Sequence, residues 1–332
     1  MPPMPLLLTE SDVRALLPID HLIATMETAL ADFSLGRVLQ PLRTVLQVPT
    51  GSAEGDKAFY GVMPAYLPRL PALGTKMVTV FGSNAERNLP SHLATITLLD
   101  PETGALLALV DGRFITEART AAVSAVSVNY LAKPDAGVLA LIGSGVQARS
   151  HLEAIDRVRE LRDVRVWSRS SERRGAFASE MGPRVAAPVR AVDSAEEAVH
   201  GASIVVLVTA AREPVVRNEW IADGAHICAV GACRPDQREM EASLVARGEL
   251  WVDSRVGALS EAGDILLAIK EGAIDESHIA GELGEFVASA SRRKDDRLTI
   301  FKSLGMAVED IAAAHLAFVR ARQAGRGQTI EL

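Results

Sequence analysis

Gly143-Ser144-Gly145-Val146-Gln147-Ala148 directly follows the apolar run Val138-Leu139-Ala140-Leu141-Ile142. Glycine, glycine and alanine spaced G-x-G-x-x-A, with a strand-like run before them and a helix-like run to Ile155 after them, suit a turn that binds a dinucleotide. In such a turn Gly143 permits the tight reversal, Gly145 lets backbone approach a pyrophosphate, and Ala148 lets the helix lie close to the strand. The amides of the first helical turn, from Val146 and Gln147 onward, then face the phosphates. A second strand at 164–167 is followed by Ser168-Arg169-Ser170-Ser171-Glu172-Arg173-Arg174. Sites for NAD usually place an acid there for the ribose 2′-hydroxyl. A carboxylate would repel a 2′-phosphate, whereas hydroxyl and guanidinium groups receive one through charge-assisted hydrogen bonds. Ser168, Arg169, Ser170 and Arg173 therefore predict NADP(H) over NAD(H).

Three cations stand among apolar residues. Arg43 precedes Thr44-Val45-Leu46, Lys76 precedes Met77-Val78-Thr79-Val80, and Arg119 begins a small-residue helix spanning 121–131. Burying a long cation is costly unless an anion accompanies it. A substrate carboxylate would serve; so would a structural Glu, or an exit of the side chain to solvent.

The elements that must position these residues fall into two groups. A capped helix near 13–17 and an amphipathic helix from Asp20 to about Gly36 open the chain. Between Arg43 and Leu109 lie short β-rich runs separated by turn chemistry at Pro49-Thr50-Gly51, 68–71 and Asp100-Pro101-Glu102-Thr103-Gly104. They predict an antiparallel sheet of five or six strands. After Lys133-Pro134, strands alternate with helices, which implies a Rossmann-type doubly wound parallel sheet. The basic and acidic stretch 292–297 reads as a turn, 307–321 as an Ala-rich helix returning to the first domain, and 325–332 as a frayed end. The expected fold is α/β: a dinucleotide domain over 121–305, and an α+β domain over 1–120 with 306–332 whose antiparallel sheet serves dimerisation.

Composition narrows the function classes. The chain has 332 residues, 48% of them hydrophobic and 23% charged, enough for two cores. A net charge of -7 leaves no basic surplus for a nucleic acid. No apolar run reaches the roughly 18–20 residues of a membrane span, and the N-terminal residues lack the basic start of a signal peptide, so a cytoplasmic location is expected. Cys228 and Cys233 have no partners at zinc spacing, so no metal is expected.

Several separated motifs, in order, are similar to the ornithine cyclodeaminase and μ-crystallin family, and more closely to its ketimine reductase branch. They are Pro41-Leu42-Arg43-Thr44, Gly61-Val62-Met63-Pro64-Ala65-Tyr66, Pro90-Ser91-His92-Leu93-Ala94-Thr95, 115–124, 143–148, Ser168-Arg169-Ser170, 231–239 and 301–310. The resemblance implies a homodimer in which Arg43, Lys76 and Arg119 hold the carboxylate of an imino or amino acid near a nicotinamide ring. It implies a pocket with Met63, His92 and Cys233, His92 being either proton donor or wall. It also implies nucleotide contacts from Thr120, Thr209, Gly231, Ser303 and Gly305. One departure matters: members that deaminate ornithine carry an Asp where this chain has Cys233, and Asp236 is displaced by three positions. The expected activity is NADPH-dependent reduction of a cyclic or linear α-imino acid. Ornithine or alanine deamination, and non-catalytic binding of a small carboxylate with NADPH, are the alternatives.

Overall fold

The structure is a computed structural model that describes residues 4–49, 57–289, 291 and 295–331. Of the expected turns, Thr50-Gly51 and 292–294 lie outside the described residues. The chain divides into two compact units, Met1–Arg119 with Met306–Leu332, and Thr120–Gly305.

The first unit opens with β1 (Leu6–Leu8), α1 (Glu10–Leu16) and α2 (Ile19–Ser34). Thr9 and Asp12 close a capping box at the start of α1. Helix α2 buries Leu22, Ile23, Met26 and Leu30, the side that its helical spacing predicts. Strands β2 (Thr44–Pro49), β3 (Lys57–Leu67), β4 (Ala72–Val80), β5 (His92–Leu99) and β6 (Leu106–Asp111) then pair in sequence order, each antiparallel to the last. The β5–β6 turn is held by Asp100, whose carboxylate accepts from the N–H groups of Glu102 and Thr103, and Gly104 supplies the φ of +72°. Alternation along the strands places Met63, Lys76 and Ile96 side by side in one buried row.

Helix α3 (Arg113–Leu131) begins well before the expected start at Ala121. The cause is Asp111, whose Oδ1 accepts from the N–H groups of Arg113 at 3.2 Å and Phe114 at 3.3 Å. Arg119 therefore lies inside the helix and not at its first turn.

In the second unit the elements are β7 (Val138–Ile142), α4 (Val146–Asp156), β8 (Asp163–Trp167), α5 (Ser171–Met181), β9 (Val189–Ala191), α6 (Ala195–Val199), β10 (Ile204–Leu207), β11 (His226–Ala229), α7 (Ala242–Arg247), β12 (Glu249–Val252), α8 (Arg255–Glu261), α9 (Gly263–Lys270), β13 (Ile279–Glu282), α10 (Leu283–Ala288) and β14 (Thr299–Lys302). Eight strands form one parallel sheet in the order β13-β12-β14-β11-β10-β7-β8-β9. The fold is thus a Rossmann-type doubly wound sheet. Strands β13 and β14 have four residues each, and neither Ile-Ala-Gly-Glu nor Thr-Ile-Phe-Lys alternates apolar with polar residues, so periodicity does not mark them. Glu282 and Glu285 form the capping box of α10.

Helix α11 (Ala307–Ala324) belongs to the first unit and packs on α2, β3, β4 and β5. The tail beyond it corrects an expectation. Instead of fraying from Gly325, it forms β15 (Gln328–Thr329), antiparallel to β1, and Ile330 N–H donates to Pro5. Strand β1 is itself parallel to β6, so this sheet has seven strands in the order β15-β1-β6-β5-β4-β3-β2 and one parallel pair. Elements of two or three residues carry no period of their own; only the open edge of β6 calls them into the sheet.

Candidate functional site

Chemistry-bearing residues gather at one place in each unit. In the second, the strand order reverses between β7 and β10, and a crevice of about 960 Å³ opens beyond the carboxyl ends of β7, β8 and β10. Gly143, Gly145, Ser168, Arg169, Ser170, Arg173 and Thr209 all line it. Gly143 takes φ +123°, and a Cβ there would stand 2.8 Å from the Val208 carbonyl, so glycine is required. Gly145 is the N-cap of α4 and offers no side chain to the first-turn amides, leaving them directed at an anion. Ala148 is fully buried on the first turn of α4.

The segment after β8 has the expected chemistry. Ser144 Oγ donates to Ser168 Oγ at 2.9 Å, and Ser170 caps α5 through Arg173 N–H. Arg174 is spent on the Ser168 carbonyl and on Asp193. Arg169 and Arg173 are exposed, and neither guanidinium has a partner among the described residues. These groups fit a nicotinamide dinucleotide: glycine backbone for the pyrophosphate, and two uncommitted cations at the place that reads the ribose.

Other expected nucleotide residues are not part of the crevice lining. Val146 is exposed at the start of α4, and the buried Oε1 of Gln147 lacks a partner among the described residues. Thr120 is buried on α3. Ser303 is buried and its Oγ has no hydrogen-bond partner among the described residues, and Gly305 turns with φ +80° while its N–H donates to Asp253 at 2.8 Å. Gly231 follows β11, with its N–H 2.8 Å from Glu239 Oε2. Cys233 is exposed and its thiol donates to the Val230 carbonyl at 3.1 Å. Asp236 is an exposed loop residue. The crevice wall over 210–215 lies in a loop with no sequence motif, whereas Ser144 and Trp167, which also line the crevice, belong to the glycine turn and to the strand before Ser168.

In the first unit the cations converge. Lys76 Nζ is 2.5 Å from Asp310 Oδ2; Arg119 Nε is 2.9 Å from Asp310 Oδ1, and its Nη1 is 2.7 Å from Glu309 Oε2. Lys76 is only 2% exposed and both carboxylates are fully buried. The anion that buried cations require thus comes in part from the chain itself, through two acids that sequence reading saw only as part of a motif. Burial drives the Lys76 ammonium down from 10.5 to about 8; Asp310 opposes the drop, while the nearby charges of Arg119 and Arg43 deepen it. Burial would raise Asp310, but Arg119 and Lys76 hold it below the usual carboxylate range. Met63 lies beside Lys76 across the β3–β4 ladder. His92 pairs with Val80 on the next strand, and burial together with Lys76 and Arg119 lowers its imidazole to about 4, so it is neutral at pH 7. Arg43, Lys76, Arg119, Met63 and His92 therefore share one neighbourhood or the sheet rows leading to it.

Known proteins match this chain over almost its whole length. The profile described as the ornithine cyclodeaminase/mu-crystallin family matches residues 4–325. The ketimine reductase mu-crystallin of Rattus norvegicus is 46% identical over 300 residues, covering 90% of this chain and 91% of its own. The solved Delta(1)-pyrroline-2-carboxylate reductase of Thermococcus litoralis, in complex with NADH and L-proline, is 41% identical with a TM-score of 0.93, covering 98% of this chain and 100% of that one. An archaeal alanine dehydrogenase dimer with bound NAD is 30% identical with a TM-score of 0.91, over 99% and 100% of the two chains. The chain belongs to the ornithine cyclodeaminase/mu-crystallin family.

Proposed function

We propose that this protein is an oxidoreductase acting on C=N bonds: it reduces an α-imino acid, a cyclic ketimine such as Δ1-pyrroline-2-carboxylate or Δ1-piperideine-2-carboxylate, to the α-amino acid with NADPH. The oxidoreductase class rests on family membership and on relatives named as ketimine and pyrroline-2-carboxylate reductases. The observation that carries the substrate class is the buried cation cluster of Lys76 and Arg119, with Arg43 beside it.

Arg43, Lys76 and Arg119 bind the substrate carboxylate through charge-assisted hydrogen bonds and so fix the adjacent C=N carbon. Asp310 and Glu309 hold Lys76 and Arg119 in place and temper their mutual repulsion. Met63 and neutral His92 wall the pocket. A reduced nicotinamide held by the residues of the crevice would supply the hydride that reduction of a C=N bond requires. Gly143, Gly145 and the first turn of α4, through Val146 and Gln147, bind the pyrophosphate, while Ser168, Arg169, Ser170 and Arg173 bind the 2′-phosphate. Thr120, Thr209, Gly231, Cys233, Ser303 and Gly305 complete the two pockets in this reading. The two solved relatives hold NADH and NAD, so NADPH preference here rests on the two uncommitted arginines and on serine, not an acid, at position 168.

We assign the protein to the cytoplasm as a homodimer. Both cysteines are free thiols, which suits a reducing compartment. The solvent side of the first sheet leaves Leu46 56% and Leu93 42% exposed, an apolar surface suited to a second copy. Among the described residues no helix is long and apolar enough to cross a membrane.

The test follows NADPH absorbance with each of the two cyclic imino acids, and with NADH in parallel. Consumption with either, faster with NADPH, is the expected result. Protein that binds NADPH yet consumes none with either substrate overturns the reading in favour of deamination, scored as ammonia release, or of ligand binding alone.

A further inference from the structure

Glu239 ties together three backbone segments around the nucleotide crevice. It is fully buried. Its Oε1 accepts from Thr209 N–H at 2.6 Å and its Oε2 from Gly231 N–H at 2.8 Å. Its own carbonyl accepts from the N–H groups of Val215 at 2.9 Å and Val216 at 3.2 Å. Residues 209–215 line one side of the crevice. One residue therefore secures both ends of that wall, the start by its side chain and the finish by its main chain.

The anchor is itself anchored. Glu239 N–H donates to Asp264 Oδ1 at 2.8 Å, Met240 N–H donates to the same oxygen at 3.2 Å, and Lys302 Nζ donates to Asp264 Oδ2 at 3.1 Å. A Cβ at position 231 would stand 2.6 Å from both carboxylate oxygens of Glu239, so glycine there is what admits the bridge. Thr209 and Gly231 follow adjacent parallel strands, β10 and β11; the Gly231 N–H is shared between Glu239 and the Leu207 carbonyl at 3.1 Å, whereas Glu239 is the acceptor of the Thr209 N–H among the described residues. Two acceptors on one rigid group, spaced to meet both, describe a carboxylate and not an amide.

We propose that Glu239 is a positioning residue of the nucleotide site, holding the wall over 209–215 in the shape that receives the dinucleotide. The proposal rests on reading the crevice as a nicotinamide dinucleotide site. Asp264 and Lys302 are the charged groups packed about Glu239, with Cys233 acting on Lys302. Burial first, then Asp264, pushes the Glu239 carboxyl up to about 7, against the pull of Lys302 and Thr209. A protonated carboxyl keeps one acceptor and turns a hydroxyl toward the other amide, so the Thr209 end of the wall loosens as pH falls to the extent that Oε1 carries the proton.

Glu239→Gln tests this without changing side-chain volume. Its amide accepts from one N–H and aims NH₂ at the other. Dissociation constants are measured by fluorescence titration with NADH, which carries no 2′-phosphate to titrate, on either side of pH 7. Wild-type protein is expected to bind NADH more weakly toward acid, and the folded variant to bind roughly tenfold more weakly at alkaline pH with a flat profile. A folded variant with the wild-type dissociation constant overturns the proposal. Should the variant fail to fold, the wild-type series decides alone: affinity that does not weaken toward acid overturns it. Wild-type protein that binds neither NADH nor NADPH instead overturns the dinucleotide reading beneath it.

Discussion

Lys76→Met separates the substrate-binding role proposed for the cation cluster from its structural one. Methionine keeps the volume and apolar stem of a side chain that is only 2% exposed, and removes the ammonium 2.5 Å from Asp310. Removing one partner of an isolated buried ion pair costs about 3–5 kcal/mol, because the other charge is left uncompensated. Asp310 is not left so: Arg119 still donates to its Oδ1 at 2.9 Å. The wild-type fold also bears the strain of a charged Lys76, whose fall from 10.5 to about 8 corresponds to about 3 kcal/mol at neutral pH. These terms oppose, so the net stability change is expected to stay within about 2 kcal/mol. Loss of a charge-assisted bond to the substrate carboxylate, about 1.5–3 kcal/mol, lowers kcat/KM roughly 10- to 150-fold. The assay pairs thermal unfolding with imino acid titrations of NADPH oxidation, and adds a direct NADPH titration as a control, since Lys76 lies outside the nucleotide unit. A folded variant with the wild-type kcat/KM refutes the assignment of Lys76 to the carboxylate.

Further expectations follow from the same observations. Arg169→Ala and Arg173→Ala each weaken NADPH binding roughly tenfold and leave NADH unchanged, because each removes one charge-assisted bond to the 2′-phosphate; equal losses for both cofactors place these arginines elsewhere. KM for the imino acid rises above pH 8 as Lys76 loses its proton, while the sign for stability is opposite. Between about 8 and 10.5 the unfolded chain holds a proton that the folded chain has released, so stability attributable to Lys76 increases with pH in that window, as denaturant midpoints across it report. Gly143→Ala forces a side chain into φ +123° and against the Val208 carbonyl, and nucleotide binding is expected to be lost with destabilisation of about 1–3 kcal/mol; wild-type affinity in this variant contradicts the tight turn.

What the chain determined without its fold is local. Val138–Ile142 runs apolar into G-x-G-x-x-A, and every step from strand to turn to helix is governed by neighbours within a few residues. The same holds for the Ser168–Arg173 chemistry, the Thr9 capping box and the Asp100 turn. Tertiary structure decided whatever needed a partner far along the chain. Lys76 and Asp310 are 234 positions apart by their numbers, 310 less 76, and their ion pair exists only because α11 returns to the sheet. Glu239 reaches Thr209 and Gly231 only once two parallel strands end side by side. The tail strand Gln328–Thr329 forms only because β1 offers an open edge. Periodicity records which face of an element is apolar; it carries no record of which distant charge or backbone amide will be brought against it, since that follows from chain closure and not from local preference.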